Sequence, residues 1–568
     1  MNQKSVLITG CSAGGIGHAL AKEFHSRGLR VIATARRLES MIELEALGMT
    51  VLMLDVSEID SIRKVRDEVA LLTGEKLDIL INNAGQALPV AVTDLDLTEV
   101  RALFEVNFFG PMTMVKEFMP LLLTSSDARI VQTGSIGGII PVPFNAAYNA
   151  SKAALHAFAN VLRVELAPFE NIKVINLVTG AVKTNIAKPM LLPNNSLYKP
   201  MEPAYLEKRT QLSQVNTTPT SEYAQHVVTE VLKSNPRAWF WTAKMSFVAW
   251  FVDTFVPINF VLPMMAKEYG LVDFASRISS SLIQVPRNKK NVLITGCSAG
   301  GIGHALAKEF HKKGHHVFAS ARQLDSMVEL KDLGITVLEL DVTEIESVRE
   351  ARDKISALTG GTLDILVNNA YRPKQVLPNI MPVTDMDMDT ARGLFEVNLY
   401  GAITMVQQFV QLLTASGDGR VAQLGSVAGI FPMPFSAPYS ASKAATHALS
   451  NTMSVELVPF KFVVLVTGGV QSNISRQMHL PDNSLYKSVE HILREKRVGV
   501  SQVGAMPTAD YAERVVNELL KPKPRAWLWL GKNSLLCWLF DRFLWKTALD
   551  GMMARMFGLL ELSALVKG

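Results

Sequence analysis

Two tyrosine–lysine pairs have the residue types and spacing for proton chemistry: Tyr148 with Lys152, and Tyr439 with Lys443. A spacing of four puts both side chains on one face of a helix, one turn apart. A phenol titrates near about 10 in water and is a poor proton donor at neutral pH, but an adjacent ammonium stabilises the phenolate and lowers that value. Each pair therefore makes a tuned general acid. The motif alone is common on helices. Here Ser135 lies thirteen residues before Tyr148, at the end of an expected strand, and Asn107 lies in a helix before that; Ser426 and Asn398 hold the same places before Tyr439.

A second constellation opens the chain. Gly10-Cys11-Ser12-Ala13-Gly14-Gly15-Ile16-Gly17 follows the apolar run SVLIT and leads into a helix, and it recurs with Gly296, Gly300, Gly301, Ile302 and Gly303. Glycines at such a strand-to-helix turn allow close approach of a pyrophosphate, whose charge the helix N-terminus favours. The end of the next strand indicates which dinucleotide. An acidic residue there would bond a ribose 2′-hydroxyl, whereas Arg accommodates a 2′-phosphate. The sequence has Arg36 followed by Arg37, and later Arg322, which favours NADP(H). Asp55 and Asp341, each ending the third strand, are placed either to bond the adenine amino group or to cap the following helix.

The elements that must carry these residues come in two copies. NQKSVLITGCSAGGIGHALAKEFHSRG returns as NKKNVLITGCSAGGIGHALAKEFHKKG at an offset of 286, a whole-domain duplication rather than a short solenoid repeat. We expect a first domain over 1–274, a polar, proline-containing linker over 275–287 and a second domain over 288–568. Within the first copy, SVLITG, LRVIATA, MTVLMLDV, LDILINNAG, ARIVQTGS and IKVINLVTG read as buried strands. HALAKEFHSRG, DSIRKVRDEVALLTG, TEVRALFEVNFFGPMTMVKEFMPLLLT and YNASKAALHAFANVLRVELAPF read as helices. Strands without polar alternation, separated by helices, predict α/β architecture: two tandem doubly wound parallel sheets of Rossmann type.

Composition narrows the function classes. With 48% hydrophobic and 19% charged residues the chain has apolar material for large cores. A net charge of +5, scattered and without a basic stripe, gives no support to nucleic-acid binding. Three cysteines cannot make a disulfide framework, no metal-ligand cluster is visible, and a reducing, cytosol-facing environment fits. The opening MNQKSVLITG enters a strand at once and reads as a start without a cleavable signal.

Taken together, TGCSAGGIG, the NNAG turn at 82–85, Asn107, Ser135 and YNASK resemble the short-chain dehydrogenase/reductase family over roughly the first 190 residues of each copy. The resemblance implies that Tyr148 gives its proton to a substrate carbonyl oxygen, while Lys152 lowers the tyrosine pKa and holds the nicotinamide ribose. It further implies that Ser135 positions the carbonyl and Asn107 holds a relay water. Asn83 and Asn369 fall at the cofactor turn, and Thr179, Gly180 and Thr184 in the loop that meets the nicotinamide amide, with Thr179 in place of the usual Pro. In the second copy Asn398, Ser426, Tyr439 and Lys443 are retained, but NNAG has become Asn368-Asn369-Ala370-Tyr371, five residues are added before Asn398, and PFENIKVINLVTG has shortened to PFKFVVLVTG. A glycine needed for backbone conformation or close approach cannot become Tyr without rearrangement, which should weaken cofactor binding there.

All seven tryptophans lie in two aromatic-rich stretches near the ends of the copies, within 238–265 and 526–557. One reading is a buried terminal helix. Against a spanning helix stand Asp253, Pro257 and Pro263 in the first stretch and Asp541, Arg542, Lys546 and Asp550 in the second. Trp beside Lys and Arg favours a segment resting at a membrane interface, as an anchor or an apolar entry lip. The expected substrate is then a carbonyl on a lipid-like molecule, taken at a membrane or lipid-droplet surface. Within the family the motifs and the PRAWFW tail are most similar to NADPH-dependent reductases of acylated keto-phosphates, which work at the cytosolic face of the endoplasmic reticulum and on lipid droplets. Retinol and 17β-hydroxysteroid dehydrogenases share the scaffold, and a lipid-surface protein with a weak second copy is the reading from another class. The family's habit of pairing through the helices bearing Asn and Tyr implies an internal pseudo-dimer.

Overall fold

The computed structural model describes residues 3–186, 191–211, 215–279, 288–371, 380–458, 460–471, 479–502, 504–544 and 546–562. Each copy builds one seven-stranded sheet, parallel at every pairing. In the first, β1 (Ser5–Thr9), β2 (Arg30–Ala35), β3 (Thr50–Met53), β4 (Ile79–Asn82), β5 (Ala128–Thr133), β6 (Ile172–Thr179) and β7 (Trp239–Thr242) lie in the order β3-β2-β1-β4-β5-β6-β7. In the second, β8 (Asn291–Thr295), β9 (His316–Ala321), β10 (Thr336–Glu339), β11 (Ile365–Asn368), β12 (Arg420–Leu424), β13 (Lys461–Thr467) and β14 (Trp527–Leu530) repeat that order. Strands β1, β4 and β5 are buried along their whole length, because helices cover both faces of the sheet and leave no side for polar residues. The strand order reverses between β1 and β4, which opens a crevice at the carboxyl ends of the strands.

Six strands of each sheet follow the expectation, and the seventh corrects one. Segment 238–265 is not a single apolar stretch. It opens with edge strand β7, whose Trp239 and Trp241 pair in register with Asn176 and Val178 of β6, and continues as two short helices, Ser246–Phe255 and Ile258–Glu268. Segment 526–557 likewise opens with β14 and continues as helices Ser534–Phe543 and Asp550–Met556; Trp545 lies outside the described residues. Among the described residues no helix is long and apolar enough to cross a membrane. Helix Leu271–Ser279 occupies the start of the expected linker, and 280–287 lie outside the described residues.

The two halves pack through the helices that carry the tyrosine–lysine pairs, Ala146–Glu165 and Ala437–Glu456, which run against each other. One apolar cluster is continuous across the contact, with Phe108 and Phe395 rings 5.0 Å apart and Phe104 and Phe395 5.6 Å apart. Burying each such ring contributes about 1.5–3 kcal/mol. The surrounding polar contacts are reciprocal. Arg101 pairs bidentately with Glu396 (2.9 and 2.8 Å) and Arg392 with Glu105 (2.8 and 2.9 Å), partly exposed pairs that set register more than they add stability. Deeper in, Glu165 accepts from the Val383 and Phe435 backbone N–H groups (both 2.8 Å), and Glu456 from those of Val92 and Phe144 (both 2.7 Å). Burial pushes both carboxyls up to about 8, against the pull of the donated N–H groups.

Candidate active site

The cofactor end of the first crevice is shaped by close backbone approach. Gly10 has φ +75°, and a Cβ there would fall 2.8 Å from the Ala84 Cα; at Gly17 it would fall 2.4 Å from the Gly10 carbonyl oxygen. Gly15 precedes helix Ile16–Ser26, whose N-terminus faces the crevice. Asn83 spends its amide Nδ2 on the carbonyls of Thr9 (2.9 Å) and Gly10 (3.1 Å), so it ties the glycine loop to the end of β4; Asn369 does the same for Thr295 (2.8 Å) and Gly296 (3.0 Å). Asp55 and Asp341 are not the N-caps of the helices that follow, a place taken by Glu58 and Glu344. The two aspartates line the crevices, and each Oδ1 caps a turn by accepting from Ser57 (N 3.0 Å, Oγ 2.6 Å) or Thr343 (N 3.0 Å, Oγ1 2.7 Å).

The first cleft, about 370 Å³, runs from Arg36 and Ile16 past Asp55 to Ser135, Tyr148, Lys152 and Thr184. Gly17 and Gly303 do not line the clefts but let helix and loop close behind them. Its donor set fits a dinucleotide: a helix N-terminus and glycine loop for the pyrophosphate, the exposed Arg36 beside the ribose position, and a buried lysine at the far end.

At that far end Tyr148 enters the first turn of helix Ala146–Glu165, with the Lys152 Nζ 5.8 Å from its ring centroid. Lys152 donates to the Thr133 carbonyl (3.0 Å), and burial lowers its pKa to about 8. Asn107 sits in a π-helical turn, Glu105–Phe109, inside what the sequence suggested was one uninterrupted helix. The bulge turns its amide inward, where Nδ2 donates to the Gln86 carbonyl (2.9 Å) and Ser151 Oγ (3.0 Å) and Oδ1 accepts from the Gln86 N–H (2.8 Å). Asn107 Oδ1 and Lys152 Nζ lie 3.5 and 3.6 Å from the place a Gly85 Cβ would take, so the two groups face one small space. Ser135 caps a short 3-10 turn by accepting from Gly137 N (3.1 Å), and the Tyr148 ring and Ser135 Oγ flank Gly137 at 3.3 and 3.4 Å from its Cβ position.

One residue that the sequence did not single out supports this arrangement. His156, one turn after Lys152, bonds the Ser135 carbonyl through Nε2 (2.9 Å) and Asn176 through Nδ1 (2.8 Å), and stacks on Trp239 at 5.2 Å. Burial lowers its pKa and favours the neutral ring, whose tautomer sets which of these contacts it donates. Thr179, at the usual proline position, hydrogen-bonds Tyr223 (2.7 Å).

The second site repeats most of this. Lys443 lies 6.0 Å from the Tyr439 ring and donates to the Leu424 carbonyl (2.7 Å), burial lowers its pKa to about 8, and Ser426 caps its turn through Ala428 N (3.1 Å). The shortened segment does no harm at the substrate end: β13 loses its start, yet Thr467 still reaches Tyr511 (2.7 Å). Of the two needs a glycine could serve at the position of Tyr371, backbone conformation or close approach, the structure favours the second. Gly85 does not have positive φ, and a Cβ there would make ordinary contacts, so what its glycine supplies is room. Tyr371 fills that room. Its ring stands edge-on to Tyr439, with centroids 5.9 Å apart at 89°. The second cleft, about 380 Å³, keeps Gly296, Gly301, Ile302, Arg322, Asp341 and Asn369 and has Tyr371, Val397 and Leu424 in its wall; Ser426, Tyr439 and Lys443 are not among the described residues that line it. Lys443 and Asn398 line a separate space of about 10 Å³ instead, and the Asn398 Oδ1 has no partner among the described residues. The five added residues fall within 372–379, outside the described residues.

This fold and this site are those of a short-chain dehydrogenase. The family model of that description matches residues 4–194 and 290–482, and the chain belongs to the family. Among its relatives, the short-chain dehydrogenase virD of Hypocrea virens is 42% identical over 45% of this chain and 88% of that protein. An NADPH-dependent 1-acyldihydroxyacetone phosphate reductase of Schizosaccharomyces pombe is 45% identical over 38% of this chain and 74% of that protein. Both halves together share their fold with the N-domain of a bacterial malonyl-CoA reductase, at TM-score 0.59 and 15% identity over 92% of this chain and 96% of that one.

Proposed function

We propose that the first half reduces the ketone of a lipid-like substrate with NADPH, converting 1-acyldihydroxyacetone phosphate to 1-acylglycerol 3-phosphate. The observation that carries this reading is the unbroken first cleft from Arg36 to Tyr148 and Lys152. A bound nicotinamide would supply a hydride to the carbonyl carbon. The protein's part is the proton: Tyr148 gives its phenolic proton to the carbonyl oxygen while the Lys152 cation stabilises the phenolate. Asn107 and Lys152 border the space where a water can return that proton, and Ser135, held by His156, orients the carbonyl. Arg36 would take the 2′-phosphate. The identity to the acyl-keto-phosphate reductase supports the substrate.

The second half, in this reading, binds NADP(H) weakly and does not turn over, because Tyr371 separates its cleft from Tyr439. The halves act as an internal pseudo-dimer seated on the endoplasmic reticulum or lipid-droplet surface by exposed apolar helices. The test is NADPH oxidation by the full chain with acyl-dihydroxyacetone phosphate, retinal or oestrone. Turnover of the acylated keto-phosphate at least about tenfold above the others in kcat/KM is expected. A preference for retinal or oestrone would replace the proposed substrate with theirs.

A further inference from the structure

The second half holds the loop that leads into the first site. Glu456, at the end of its helix and buried, accepts from the N–H groups of Val92 and Phe144, and its own carbonyl accepts from the Tyr198 hydroxyl (2.8 Å). Phe144 has φ +57°, a conformation a non-glycine residue keeps only when its surroundings over-determine it. Its ring is clamped edge-on by Tyr198 (5.3 Å) and Tyr205 (5.0 Å). Four residues on comes Tyr148. The next residue, Asn149, donates through Nδ2 to Thr452 Oγ1 of the second half (3.0 Å) and to the Val142 carbonyl (2.8 Å). The strained approach to the catalytic helix is thus fixed at both ends by side chains from the other copy.

The return contacts are poorer. Glu165 reaches Val383 and Phe435 in the same way, but Val161 stands where Thr452 would be, Ser440 replaces Asn149, and the Ser440 Oγ is buried without a partner among the described residues. The half whose own cleft is closed by Tyr371 thus gives more support than it receives.

We propose that the second half is a positioning element for the first active site, with Glu456 and Thr452 holding segment 142–149 so that Tyr148 meets its substrate in register. This rests on the reading of the first half as the working site. Neither residue touches the reacting atoms; both act through the loop that delivers Tyr148.

The experiment compares Glu456→Gln, Thr452→Val, Thr452→Ser and Glu165→Gln in the full chain, by NADPH oxidation and by amide hydrogen exchange. Val is already accommodated at the matching Val161, so Thr452→Val should fold. Expected are a drop in kcat of about tenfold for Glu456→Gln and Thr452→Val, and a KM for NADPH within roughly twofold of wild type. Thr452→Ser should keep the wild-type rate, and Glu165→Gln should leave first-site turnover unchanged. The Val92 and Phe144 amides should exchange faster in Glu456→Gln alone. Unchanged kcat and exchange in Glu456→Gln and Thr452→Val would overturn the proposal, as would an equal loss in Glu165→Gln. A chain that oxidises NADPH with no carbonyl at all would sink the proposed function, while the exchange data would still decide whether Glu456 holds the loop.

Discussion

Lys152 is the residue on which the acid–base account turns. Its burial beside Thr133 and Tyr148 disfavours the ammonium and brings its pKa down to about 8, so the charge that stabilises the tyrosinate is present below that pH and lost above it. In the free enzyme, kcat/KM for carbonyl reduction should therefore fall as pH rises through about 8, read from initial rates across the range. A profile flat to about pH 10 would mean that the cation is not required. His156 should titrate nowhere in this window, since burial keeps it neutral. It escaped the sequence reading because a histidine four residues after Lys152 on an alanine-rich helix reads as core packing. Only the fold shows its ring meeting Ser135 and Trp239.

At the scale of elements, apolar runs with no polar alternation made six strands of each sheet legible, and the repeat made the duplication plain. The seventh strand was hidden because WFWT and WLWL carry tryptophans whose clustering resembles a membrane interface; pairing with β6 or β13 is a long-range contact that no local pattern reports. The π-turn at Asn107 was invisible for a like reason, since an inserted residue barely disturbs helical periodicity. The NNAG-to-NNAY change was legible as the loss of a glycine needed for conformation or close approach, and the fold decides for close approach, in the space beside Asn107 and Lys152. Gly85→Tyr should therefore reproduce the closed state in the first half. We expect turnover to drop about a hundredfold while the melting temperature moves little, because the side chain projects into the cleft and not into the core. Retained turnover in a folded Gly85→Tyr protein would remove Tyr371 as the reason the second site is closed.

On the whole molecule, the apolar helices of the two halves come together. Helices Ser246–Phe255 and Ser534–Phe543 pack beside each other, tied by Lys546 to Asp253 (3.2 Å) and Asp541 (3.6 Å). On these two helices and on Ile258–Glu268 large apolar side chains are exposed: Phe247 is 70% exposed, Phe260 70%, Leu535 67% and Phe543 72%. The proposed seating on a lipid surface would bury these side chains. Because β7 and β14 lie inside the aromatic segments, deleting those segments would remove sheet edges. Changing Phe247, Phe260, Leu535 and Phe543 to Ser keeps the sheets and removes on the order of 6 kcal/mol of apolar insertion. The wild-type chain should float with liposomes and the fourfold variant should stay in the dense fraction with an unchanged circular dichroism spectrum; equal flotation of both would remove the membrane proposal.

In the proposed reading one copy works and the other supports it. Rates of NADPH oxidation by Tyr148→Phe and Tyr439→Phe, each in the full chain and against acyl-dihydroxyacetone phosphate, test it most directly. The geometry predicts a loss of about a hundredfold or more in Tyr148→Phe and a wild-type rate in Tyr439→Phe. Undiminished turnover in Tyr148→Phe, or a comparable loss in Tyr439→Phe, would contradict it.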